Sequence, residues 1–184
     1  FTDAAELAFK ENPHRVVPFH WDNELFYLKK AELSEHSSLK ATISMVICSL
    51  IFRKKFSKDS LQQGDIHDES QRIKQLEAVG IRVPQIKTET HDYIVLEDAG
   101  TPLESVINAL SEPEKMTWYL RTMKELALLH KKGQWHGGAQ LRNHSVKNNE
   151  IYRIDFEEKF GYVLPQDAVG AYDLFLLLGD ILSR

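Results

Sequence analysis

The stretch His136-Gly137-Gly138-Ala139-Gln140-Leu141-Arg142-Asn143, followed twelve residues on by Asp155-Phe156-Glu157, holds the most chemically suggestive side chains of the sequence. A carboxamide and a carboxylate on neighbouring loops are hard oxygen donors, the type Mg²⁺ takes while keeping several waters. Upstream, Phe26-Tyr27-Leu28-Lys29 ends an apolar run on an ammonium, a compact positive charge, and Glu69 and Glu77 supply carboxylates on one predicted helix. Each also has a plainer reading: Asn143 closes a turn, Asp155 caps a loop, Lys29 is solvated beside Lys30, and Glu69 is an exposed helix residue. The eight histidines show no zinc spacing, and Cys48, the sole cysteine, reads as buried and inert within an apolar helix. A hydrolase built on Asp155, Glu157 and Glu158 lacks any further carboxylate cluster to support it.

Elements that would position these groups are visible in the pattern. Val16–Phe19 and Leu25–Ala31 read as two strands around a turn at Trp21-Asp22-Asn23, after a short amphipathic start. Leu39–Phe56 has helical spacing and ends in cations, and Asp68–Val79 reads as a helix burying Ile73, Leu76 and Val79, closed by Gly80. Ile81-Arg82-Val83-Pro84 leaves in extended form, and Tyr93–Leu96 is a short strand before the turn Asp98-Ala99-Gly100. A capping box from Ser111 to Glu114, with Pro113 in the first turn, starts the strongest helix. Its predicted buried face runs through Met116, Tyr119, Leu120, Met123, Leu126, Ala127 and His130, and Gly133 closes it. Ile151–Phe156 alternates as a strand, and Ala171–Leu182 reads as a buried helix.

With 184 residues, 42% of them hydrophobic, the chain can bury one sizeable core or two small lobes around a cleft. A net charge of −4 argues against nucleic-acid binding, which shows a basic excess. One cysteine excludes a disulfide framework and points to a reducing interior. Phe1–Asn12 carries four charged residues and does not resemble a signal peptide, and the ends read as those of a piece of a longer chain. Ile43–Phe52 has about half the roughly twenty apolar residues a bilayer span needs.

The order of the landmarks carries a resemblance. His136–Asn143 resembles the protein-kinase catalytic loop, His-Arg-Asp with Asn five positions beyond the Asp, and Asp155-Phe156-Glu157 resembles the Asp-Phe-Gly metal site. Leu28-Lys29 follows an aromatic pair, Gly80-Ile81-x-Val83-Pro84 precedes the crossing between lobes, and Leu129-His130-x-x-Gly133-x-x-His136-Gly137 enters the loop. Those features are similar to the lipopolysaccharide (Kdo/heptose) kinase and Bud32-like branch of atypical kinases. The resemblance implies an α+β, two-lobed fold: a small antiparallel β lobe with one helix over residues 1–98, and a mainly helical lobe over 99–184. It implies ATP and Mg²⁺ as cofactors, with Lys29 on the phosphates, Glu69 orienting it, and Leu96-Glu97-Asp98 meeting adenine through their backbone. Asn143 and Asp155 would hold the metal, while His136 and Asp173 would brace the catalytic loop. It further implies transfer of phosphate to a glycolipid sugar or a protein, in the cytoplasm; Ile51–Phe56 reads as a solvated helix end or, with support from the resemblance, as a peripheral membrane or anionic-substrate contact.

Two departures stand against full activity. Gly138 occupies the position of the catalytic aspartate, so the base, worth about 10² to 10⁴ in rate, would have to come from His136, Gln140, Glu157 or Glu158. No glycine precedes Gly64, so either a phosphate-covering flap is built from other residues, such as Trp21-Asp22-Asn23, or the sequence lacks the first strand of the fold. These departures motivate the alternative of a pseudokinase, a nucleotide-binding or scaffolding module.

Overall fold

A computed structural model describes residues 1–31, 55 and 64–184. The expected helix Leu39–Phe56, with Cys48 and all of the Ile51–Phe56 contact except Lys55, lies outside the described residues. Helix α1 spans Thr2–Glu11 and strands β1 and β2 span Val16–Trp21 and Glu24–Lys30. Asp22 and Asn23, with φ of 50° and 61°, form the turn between them, the left-handed pair a two-residue hairpin demands. Then come α2 (Ile66–Ala78), β3 (Ile86–Glu89), β4 (Tyr93–Glu97), β5 (Thr101–Pro102), α3 (Leu103–Asn108), α4 (Glu112–Lys131), β6 (His144–Lys147), β7 (Glu150–Arg153) and α5 (Gln166–Leu182).

Four strands form one antiparallel sheet in the order β1-β2-β4-β3, and β5-β6-β7 form a second, smaller one. The first sheet has two different faces because side chains alternate along β2. Phe26 and Leu28 point to α1 and join Ala5, Ala8, Val17 and Val95 in one core, while Tyr27 and Lys29 point into the cleft on the other side. Lys30 returns to the α1 face, where its Nζ donates to the Phe9 carbonyl at 2.6 Å and to the Asn12 carbonyl. The larger core joins α2, α3, α4 and α5 through Ile73, Leu76, Leu103, Leu126, Leu141 and Leu177. Among the described residues no helix is long and apolar enough to cross a membrane.

Several expectations shift. Helix α2 begins earlier than Asp68, because Asp65 and Asp68 form a reciprocal capping box, and Val79 lies at its exposed end rather than in the core. Strand β3 was hidden by its polar sequence. In α4 the buried residues are Tyr119, Thr122, Leu126 and Leu129, whereas Met116, Leu120 and Ala127 are exposed: the core contacts a face turned from the predicted one. Helix α5 is only partly buried, and Leu174, Phe175 and Leu182 face outward. The proposal of Trp21-Asp22-Asn23 as a flap is corrected by the strand register. Val16 pairs with Lys29, so that turn stands at the far end of the hairpin from the lysine.

Candidate functional site

Lys29 is the centre of an ion cluster. Its Nζ lies 2.7 Å from Glu69 Oε2, 3.0 Å from Asp155 Oδ1 and 2.7 Å from Glu157 Oε1. The lysine comes from β2, Glu69 from the first turns of α2, and Asp155 and Glu157 from the loop after β7. Lys29, Glu69 and Glu157 are buried, while the Asp155 side chain is 46% exposed. Burial alone would depress the Lys29 pKa, but the three carboxylates hold it above the ordinary ammonium value, so it stays charged. Burial pushes the Glu69 carboxyl up, against the pull of Lys29. Glu77, the rival carboxylate on the same helix, is exposed and plays no part.

Arg15 is the member of this cluster that the sequence pattern did not reveal. It sits just before β1, and its guanidinium contacts Glu157 Oε1, the oxygen that Lys29 also holds. Its backbone is fixed by Lys30, whose amide donates to the Arg15 carbonyl at 2.8 Å. The contact spans 142 positions of sequence, and no local motif could have signalled it.

Arg15, Lys29, Glu69 and Asp155 line a cavity of about 470 Å³, with Glu157 buried behind them. Its lining mixes apolar residues, Val16, Tyr27, Pro84, Leu96, Ala99 and Ile154, with polar and charged ones, Arg15, Lys29, Glu69, Arg142, Asn143 and Asp155. Leu96, Glu97 and Asp98 all line it, at the crossing from β4 toward the helical part. Their backbone is already partly engaged: the Glu97 amide donates to the Gln85 carbonyl, the Asp98 amide to Leu25, and the Asp98 carbonyl accepts from Lys147 Nζ at 2.8 Å.

The loop carrying Asn143 is set from below by one carboxylate. Asp173, fully buried on α5, accepts the backbone N–H of His136 and of Gly137, both at 2.7 Å, and lies 3.2 Å from His130 Nε2. Gly137 has φ 90°, and a Cβ there would stand 2.8 Å from Glu158 Cβ, so only glycine fits. His136 is fully buried. Its Nδ1 accepts the Gly138 N–H at 3.2 Å, its ring lies 5.4 Å from that of His144, and burial, with His144 next, lowers its pKa to about 3. A neutral imidazole sealed in the core braces the loop and has no path to a substrate, which corrects its place among catalytic groups. His144 is likewise held to about 4 by burial and then by Arg153.

At Gly138 the space of a side chain is taken: a Cβ there would lie 2.9 Å from Asn143 Nδ2, which donates to the Gly138 carbonyl at 2.8 Å. That bond fixes the amide, turning its nitrogen to Gly138 and leaving its oxygen as the available donor. The Ile154 amide donates to the Asn143 carbonyl at 3.0 Å, which ties the loop to the residue before Asp155. A carboxamide oxygen and a half-exposed carboxylate on one cavity wall suit a hard cation such as Mg²⁺. Of the replacement bases, His136 is sealed, Glu157 is tied to Lys29 and Arg15, and Glu158 packs its Cβ beside Gly137.

No family model matches the chain, and no curated protein matches it. Solved structures do resemble it. One is WaaP in complex with acyl carrier protein, which is 14% identical, with a TM-score of 0.56 over 98% of this chain and 74% of that one. At that identity the likeness speaks to the fold alone. With its small antiparallel sheet, helical remainder and intervening cleft, the chain has a two-lobed, protein-kinase-like fold.

Proposed function

We propose that the chain is an ATP- and Mg²⁺-dependent phosphotransferase of the atypical kinase class. The observation that carries this reading is the meeting of Lys29, Glu69 and Asp155 in the wall of a cavity that Tyr27, Pro84, Leu96 and Ala99 also line. Adenine would lie between Val16, Tyr27 and Leu96, against the Leu96-Glu97-Asp98 crossing. Lys29, held by Glu69, would place its charge on the α/β-phosphates, and Asn143 with Asp155 would hold the cation, which neutralises charge building on the phosphates. In the transfer, an acceptor hydroxyl oxygen would bond to the γ-phosphorus as the bond to the ADP oxygen breaks, and the hydroxyl proton would pass to water or to an oxygen of the transferred phosphoryl group. The resemblance to lipopolysaccharide kinases favours a sugar hydroxyl as acceptor, with a protein as the second choice. Acyl carrier protein, present with the neighbouring fold, is the first protein partner to assay.

The test is ATP turnover and thermal stabilisation by ATP with Mg²⁺. A site filled to a hundred times its dissociation constant gains about 2.7 kcal/mol, and Asp155→Ala should abolish turnover. Turnover unchanged in Asp155→Ala sinks the reading. Gly138 favours a second one. With the base position filled by the Asn143 amide, a pseudokinase that binds nucleotide without transferring phosphate would show the thermal shift and no Asp155-dependent turnover.

A further inference from the structure

The contacts of Glu157 point to a use for Arg15. The Lys29 ammonium has three N–H donors, and three carboxylates surround it, so a phosphate can reach it only by displacing one of them. Glu69 is the most deeply buried of the three, and its Oε1 lies 3.4 Å from the Phe156 amide it accepts. Asp155 is the half-exposed carboxylate placed beside Asn143. Among the described contacts, Glu157 is the one shared: one oxygen, Oε1, is held by Lys29 and by Arg15 together. An acceptor oxygen gripped between an ammonium and a guanidinium is the arrangement these two cations offer to a phosphate oxygen.

Arg15 also stands where cover is needed. It immediately precedes Val16, which pairs with Lys29, and both residues line the cavity. Its position is built rather than incidental. Lys30 anchors the end of α1 through the Phe9 and Asn12 carbonyls and the Arg15 backbone through its own amide, so the segment between α1 and β1 is held to β2 at the residue after Lys29. No glycine is required for a flap of this kind, because a side chain rather than backbone N–H groups does the covering.

We propose that Arg15 and Lys29 form a two-cation clamp for the phosphates of the nucleotide, and that Glu157 stands in for a phosphate until one arrives. This rests on the nucleotide reading of the same cavity. Exchange of anions breaks no covalent bond: the Glu157 carboxylate leaves both cations and the phosphate oxygen takes its place. Glu157 therefore sets a threshold for occupancy, and removing its charge lowers that threshold.

Calorimetric titration with Mg²⁺ present tests this, using ATP, adenosine and inorganic tripolyphosphate as probes on the full chain. Arg15→Gln should weaken ATP and tripolyphosphate by about tenfold or more, the factor that 1.4 kcal/mol represents, and leave adenosine unchanged. Glu157→Gln, which keeps the shape and removes the charge, should tighten both phosphate probes several-fold. The clamp is overturned if Arg15→Gln binds tripolyphosphate like the unaltered chain, or if Glu157→Gln binds it more weakly. It is also overturned if the unaltered chain takes no tripolyphosphate. The nucleotide reading fails separately: tripolyphosphate bound and Arg15-dependent, with neither ATP preference nor adenosine binding, leaves the clamp standing without it. If Arg15→Gln does not fold, the Glu157→Gln arm decides.

Discussion

The ion cluster around Lys29 and the loop that carries Gly138 are built on opposite terms. Around Lys29 the polar groups are in surplus: three carboxylates and a second cation secure one ammonium. At Gly138 there is no side chain at all, and the neighbouring amide has moved into the room. The loop nevertheless keeps its shape, because Asp173, His136 and Asn143 still hold its backbone. Under the proposed reading, grip on a phosphate and removal of a proton are thus separable tasks in this chain. The first needs charges converging from several elements, while the second needs one side chain.

The largest effect should come from emptying the surplus. Lys29→Met leaves Glu69 buried without its cation and Glu157 with Arg15 alone, which should cost about 3–5 kcal/mol in urea unfolding and remove the proposed phosphate binding. A loss below about 1 kcal/mol would mean the cluster is not part of the core. Acid should act on the loop instead. An unfolded histidine binds its proton near pH 6.5, whereas His136 and His144 wait until about 3 and about 4. Between those values the unfolded chain binds more protons, so stability is full above about pH 6.5 and falls as pH drops toward 4. The slope should be of the order of 1 kcal/mol per pH unit for each histidine. Denaturation midpoints across pH 4–7, with His136→Phe flattening the slope, check the sign and the source. The smallest effect belongs to Gly138→Ala. Its Cβ presses on the end of a side chain that can swing, so about 1 kcal/mol is expected, together with a weaker Mg²⁺ dependence of ATP affinity as Asn143 is displaced. No change in that dependence would detach Asn143 from the cation.

Local chemistry explains what could be read in advance. The turn at Asp22-Asn23 and the Ser111–Glu114 capping box act within four residues, and both stand where the pattern put them. The landmarks Lys29, Glu69, Asn143 and Asp155 keep a familiar order, and the structure brings them to one cavity. Features set by distant packing were not legible. Strand β3 carries Lys87, Thr88 and Glu89 and pairs only with β4, so no apolar run announces it. The buried face of α4 was misjudged because Met116 and Leu120 fit helical spacing but meet no neighbour to cover them. Arg15 lies in a segment without motif, and its role comes from a lysine on the next strand and a glutamate near the other end of the chain.

Asp173 also has a consequence for how the protein is made. The amides of His136 and Gly137 lie 37 and 36 positions ahead of the carboxylate that fixes them. During synthesis the loop therefore emerges well before its anchor. Until α5 has left the ribosome and docked, the His136 and Gly137 amides lack the carboxylate that fixes them, and the cleft should not become competent for ligand before α5 is in place.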